Sequence, residues 1–348
     1  MEDLVKGVLR FGRRFDSERV ADWSEHQHLH RRQIIRDALT EIFDKLYYSP
    51  SPCISLSTAK DLQIVVKQLK LVETGNYDSV RQDFQPEFFK PMPMGALEFL
   101  KVDFKEKSVQ GHLSSLDSTW SHAETGNCGG YNQAKAVAET LSRWFRKLER
   151  VPVGENGASV QDSLTLQEWS GWIHRRPSPK IEGTKYMRPS GADGPEGTSP
   201  TPWNAQYSDG WLRDDSNPHQ TVMVVHTSPP HDDLLRAEVL TIIGLMRERL
   251  ATQTLIEHKI IPVRAILPFL NYIYHGATRT IFLTVVQIQV ISCMADFQAR
   301  VLQAHFQYGR LTIFKSLLWS FKTVEDREEN LLAFLLYLGA KPVGDTIL

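Results

Sequence analysis

The sequence predicts an α/β or α+β protein, with a mainly helical N-terminal part followed by a C-terminal mixed sheet and flanking helices. Three observations lead there. Apolar residues recur at helical spacing in two N-terminal segments. From residue 219 onward, apolar runs and one acidic-start helix follow the order β, α, β, β, β, α. Hydrophobic residues make up 41% of the 348, enough for a sizeable core without staples.

Residues 31 to 48 predict the first helix, with Ile34, Ile35, Ala38, Leu39, Ile42, Phe43 and Leu46 on one face, stopped by Ser49-Pro50-Ser51-Pro52. Residues 59 to 75 read equally as helix or strand. A second helix is expected over 131 to 149, where Ala134, Val137, Ala138, Leu141, Phe145 and Leu148 form the stripe and Arg143, Arg146, Lys147 and Arg150 suit the negative end of the dipole. Seven prolines and five glycines in the 43 positions 176 to 218 predict a long loop or linker. Its Trp203, Tyr207 and Trp211 imply that parts of it pack onto the body. Beyond it, 221 to 227 reads as a buried strand, Ser228 to Asp233 as a turn whose Asp232 or Asp233 caps a helix, and 299 to 316 as a hairpin around Gly309. The organisation is therefore 1–175 helical, 176–218 loop or linker, and 219–348 α/β.

The C-terminal region contains one discordant stretch. Residues 263 to 289, VRAILPFLNYIYHGATRTIFLTVVQIQ, number 27 and so correspond to 81 nucleotides in frame. Val263-Arg264 can be encoded by GTACGT, Leu283-Thr284 by a branch-point sequence and Gln289 by CAG, the marks of a retained intron. Its removal joins HKIIP to VISCM in one strand-like run, so the stretch is expected to loop out of the sheet with few packed contacts.

The patterns VVHTSPPHDDLLRAEVL, HKIIPV, ARVLQAHFQYGRLTIFKS and KPVGDT resemble a large set of proteins predicted in filamentous fungi, in which the IIPV strand leads without insertion to the VLQAHF hairpin. The resemblance covers about 100 residues. It implies relatives and the same α/β fold, with no established activity and no catalytic residues. A setting in fungal secondary metabolism follows only from the type of genome, and gene neighbours decide it.

Composition narrows the partners. Forty basic and forty-one acidic residues leave a net charge of −1, so no nucleic acid is expected. The apolar runs near 261–273 and 281–294 are broken by charges, proline and glycine and fall short of the ~20 residues a spanning helix needs, so no membrane is expected. Cys53, Cys128 and Cys293 are odd in number and far apart, which fits a reducing compartment, and the start of the chain carries no secretory pattern. The expected location is cytoplasmic, without a cofactor.

Several constellations could carry chemistry. Cys128, in TGNCGG before the second helix, is the candidate nucleophile: a helix N-terminus stabilises a thiolate, and Gly129-Gly130 admit a close substrate. The GNC core is similar to the nucleophile segment of ovarian-tumour-type cysteine proteases, whose preceding Asp is Thr125 here. His112, His122, His226 or His305 could act as base. His226, Ser228, His231 and Asp232 stand where a strand meets its helix, the ligand edge of open α/β sheets, although capping accounts for the aspartates. Trp169 and Trp172, near His174 and Arg175, combine aromatic surface with cations as ligand binders do, although packing under a loop accounts for them too. Within the run His26, His28 and His30, His26 and His30 would share a helical face at i, i+4 like a metal-ligand pair, but no third ligand is specified, and with Arg31 and Arg32 the run reads as a solvated helix start, so no metal is expected. The His122-Ala123-Glu124 triplet lacks the downstream PCxxC of cytidine-deaminase-like enzymes. The expectation is a non-catalytic intracellular binding or accessory protein with a protein or small-molecule partner; the alternative is a cysteine-dependent hydrolase or transferase.

Overall fold

The computed structural model describes residues 29–71 except 31, 89–125, 129–152, 163–174, 203–211, 219–252 and 287–342 except 308. The elements in chain order are helix α1 (32–47), β1 (Cys53–Ile54), α2 (Leu56–Asp61), β2 (Ile64–Gln68), β3 (Phe89–Lys90), α3 (Met94–Phe99), β4 (Leu100–Val102), α4 (Lys107–Thr125) and α5 (Gly130–Arg146). They continue with β5 (Arg150–Pro152), α6 (Leu166–Ser170), β6 (Trp172–His174), β7 (Trp203–Trp211), β8 (Gln220–His226), β9 (Leu234–Leu235) and α7 (Arg236–Ala251). The last are β10 (Gln287–Met294), β11 (Gln298–Gln307), β12 (Arg310–Lys315), β13 (Trp319–Ser320), α8 (Val324–Leu338) and β14 (Lys341–Pro342).

An eight-stranded mixed sheet in the order β2-β12-β11-β10-β8-β7-β6, with β13 alongside β11, is the middle layer. The pairs β8/β10 and β2/β12 are parallel and the others antiparallel. Strands β8 and β10 are buried at every position, as expected where helices cover both faces. Strand periodicity divides their side chains. Met223, Val225, Ile291 and Cys293 enter one core with α4, α5 and α8, and Val222, Val224, Ile288 and Val290 enter the other with α1 and α7. Helix α7 is buried or half-buried over 236–250 because it lies in this second core beside α1.

The helices 32–47 and 130–146, strand β8 and the β11/β12 hairpin match the sequence expectation. At the hairpin Gly309 has φ +74°, a conformation that glycine adopts without penalty. Three expectations are corrected. Residues 203–211, inside the predicted loop, form a nine-residue strand paired with β8, because its proline-poor alternating sequence can continue the sheet. The end of the discordant stretch does not loop out: Gln287, Ile288 and Gln289 are buried central-strand residues, in register with His305, Ala304 and Gln303 of β11. Asp232 and Asp233 do not cap α7, because β9 intervenes and pairs with β1. The carboxylate of Glu238 accepts from the Leu235 amide instead, at 2.8 Å. Strands β2, β6 and β7 join the same sheet as the C-terminal strands, so all three sequence regions build one sheet.

Candidate functional site

The densest polar constellation lies at the C-terminal edge of the parallel β8/β10 pair, on the α7 face. His226 ends β8. Ser292 stands beside Val224 across the parallel register and opposite Arg300 across the antiparallel one, so three adjacent strands place His226, Ser292 and Arg300 in a row. Helix α7 closes the row with Glu238 in its first turn.

All four side chains are buried. The Arg300 guanidinium grips both Glu238 oxygens, at 2.8 Å through Nε and 2.5 Å through a terminal nitrogen. Its remaining donors reach the carbonyls of His231 at 3.0 Å and Asp233 at 2.9 Å. Lys315 Nζ donates to the Asp232 carbonyl. These inward bonds hold the backbone of the 228–233 loop and leave the side chains of His231 and Asp233 outward, 49% and 41% exposed.

Ser292 Oγ and His226 Nε2 lie 3.0 Å apart, with the direction of the bond set by the imidazole tautomer. His226 Nδ1 is buried without a partner. Burial pushes the His226 pKa down to about 4, and the Arg300 charge adds to this while Glu238 opposes it. Burial alone would raise the Glu238 pKa, but the charge and hydrogen bonds of Arg300, with His226 and Ser292, hold it below the ordinary range. The cluster is therefore a neutral imidazole beside an ion pair.

This arrangement differs from that of a serine nucleophile site. There a carboxylate orients the far imidazole nitrogen, whereas here that nitrogen, His226 Nδ1, is buried without a partner, and no member is exposed. The cluster can brace a loop; Ser292 cannot meet a substrate in this geometry.

The other sequence candidates separate. Ser228 is buried, and its carbonyl accepts from the Ala295 amide. Trp172 is fully buried, stacked on Phe89 and donating from Nε1 to the Ala340 carbonyl at 2.9 Å, so packing occupies it; Trp169 packs against the same core. Cys128 lies outside the described residues, as do His26 and His28. Gly130 opens α5, and a Cβ there would meet Ala295 Cβ at 2.3 Å, so its missing side chain lets the helix approach the β10/β11 turn rather than a ligand. Of the candidate bases, His226 and His305 are buried, and His122 joins Ser115, Ser118, Thr119, Asn132, Lys135 and Glu139 around a groove of about 270 Å³ between α4 and α5. Glu139 there is held by Lys135 at 3.6 Å and Arg143 at 3.5 Å. Burial pushes the Cys53 thiol up, with the Asp233 charge acting in the same direction.

Sequence reasoning missed Arg300, Glu238 and Ser292. The available signal was a charge inside each apolar run, Glu238 in AEVLTIIGL and Arg300 in ARVLQAHF, since a buried charge requires a partner. Among the described residues no group of three His, Cys, Asp or Glu could hold a metal ion, and no helix is long and apolar enough to cross a membrane. Comparison with known proteins finds no matching family model, no matching curated protein and no matching solved structure.

Proposed function

We propose that this is a non-catalytic intracellular binding or accessory protein whose 228–233 loop is a rigid recognition edge. The observation supporting this reading is the direction of the bonds: Arg300 and Lys315 are spent on loop carbonyls, while His231, Asp232 and Asp233 point outward. A loop held in its bound shape loses little entropy on association. Two carboxylates and an imidazole at its rim favour a partner segment that is cationic or rich in hydrogen-bond donors. The test is quantitative affinity capture with the unaltered chain, with Asp232→Lys/Asp233→Lys, and with Asp61→Lys as a charge control. Partners lost only from the double variant, with purified affinities falling tenfold or more, are expected. Identical profiles for all three chains overturn the reading.

A second reading, a hydrolase or transferase using Cys128, draws on one observation. Helix α5 is 17 residues long and begins at Gly130, two positions after Cys128 in the sequence, and the positive end of a helix dipole lowers the pKa of a thiol placed against it. Alkylation of Cys53→Ser protein by iodoacetamide across pH tests it. A thiol titrating below about 7 favours the enzyme, and one near the ordinary ~8.5 removes it.

A further inference from the structure

Strands β8 and β10 are parallel neighbours joined through α7, a β-α-β unit. Nine residues, 227–235, lead from β8 to α7, but 35 residues, 252–286, separate the end of α7 from β10. Connections of this kind usually take about 2–6 residues. Removing residues 263–289 leaves eight, 252–259, and places Ile260, Ile261 and Pro262 directly before Val290.

We propose that a shorter form of this chain, lacking residues 263–289, is the principal folded form, with Ile260, Ile261 and Pro262 in the β10 positions now held by Gln287, Ile288 and Gln289. Three residues replace three, so the register from Val290 onward is unchanged. Ile261 supplies the same side chain as Ile288, which is buried in the core beneath α7. Ile260 replaces Gln287, whose Oε1 is buried without a partner, and removes an unsatisfied acceptor. Pro262 carries the cost. It lacks the amide of Gln289 and the side-chain bonds that Gln289 makes to the Tyr337 carbonyl at 2.8 Å and to Gln303 at 3.3 Å. Proline is tolerated as the first residue of a strand, so the β10 ladder of the shorter form would begin at Pro262, with Ile260 and Ile261 filling the side-chain positions of Gln287 and Ile288 ahead of it. Ser292 lies beyond the join and Arg300 on the next strand, so the brace beneath the 228–233 loop is common to both forms.

Tryptic mass spectrometry of the protein from its source cells distinguishes the forms. The shorter chain gives IIPVISCMADFQAR, and the longer one gives AILPFLNYIYHGATR from residues 265–279. The joined peptide is expected in at least tenfold excess; a dominant 265–279 peptide overturns the proposal. A purified chain deleted for 263–289 is expected to melt at or above the temperature of the longer chain. The same deletion with Pro262→Gln isolates the proline cost: if both deletions are unfolded where the longer chain is folded, the strand exchange is wrong.

Discussion

Arg300 and Arg150 are both almost fully buried arginines, yet their surroundings give the same substitution opposite expected effects. Arg300 has its donors matched to Glu238 and to loop carbonyls. Arg300→Met leaves a buried carboxylate without its cation and is expected to cost about 3–5 kcal/mol in urea unfolding. Arg300→Met/Glu238→Met removes both charges and is expected to cost less than either single change. A double variant as unstable as the sum of the singles would show that the pair is not coupled. Arg150 gives one bond to the Leu100 carbonyl at 2.8 Å, while Nε and the other terminal nitrogen are buried without partners, and burial lowers its pKa to about 10. Arg150→Met gives up the guanidinium that lies 5.8 Å over the Trp144 ring but removes two buried unpartnered donors, and is expected to leave stability unchanged or raise it by about 1–3 kcal/mol. A loss above about 2 kcal/mol would mean that those nitrogens find partners in solution.

At the scale of elements, the sequence signal is strongest where one element's own pattern decides its state and weakest where a distant partner does. Strand β8 and the β11/β12 hairpin are legible from β-branched runs and Gly309. Helix α4 is not, because its buried face is only Val109, Leu116, Trp120 and Ala123 among small polar residues. Strand β7 is hidden by the prolines that precede it, and its place is set by pairing with β8. The candidate edge shows the same division: His226, Ser228, His231 and Asp232 were legible from their position after a strand, whereas Arg300 and Glu238 meet only through sheet register. Arg32, expected in a solvated helix start, is buried and donates to the carbonyls of Arg249, Leu250 and Thr252, 217 to 220 residues away. It thereby satisfies the open carbonyls at the C-terminus of α7 and places a positive charge at the negative end of that helix. Arg32→Ala is expected to cost about 2 kcal/mol and to speed amide exchange in the last turn of α7. Arg32→Lys is expected to recover less than half, because one ammonium cannot reproduce the fork. Unchanged exchange in that turn would remove the capping role.

Across the whole molecule, acid should act through two histidines on opposite faces of the sheet. His226 lies in the brace under α7, and His305 stacks on Phe314 of the other core at 6.1 Å. Burial lowers both pKa values to about 4, with Arg300 adding to the effect at His226 and Lys67 at His305. In the unfolded chain each titrates near ~6.5. Between these values the unfolded state binds protons that the folded state refuses, so stability rises with pH and falls as acid is added. Each histidine contributes a slope of up to about 1.4 kcal/mol per pH unit, on the order of 3 kcal/mol over the window. Glu238 acts lower. Its folded pKa is depressed, so its contribution is complete above the unfolded value of ~4.3 and is lost only as pH falls through the folded one. Urea unfolding at pH 7, 6 and 5 should therefore show a steady loss before any carboxylate-driven transition. His305→Gln, which leaves the brace untouched, should roughly halve that slope, because only His226 then resists protonation. Stability that is level from pH 7 to 5, or a slope indifferent to His305→Gln, would mean that the imidazoles reach water in the native protein and that the two cores are looser than their burial implies.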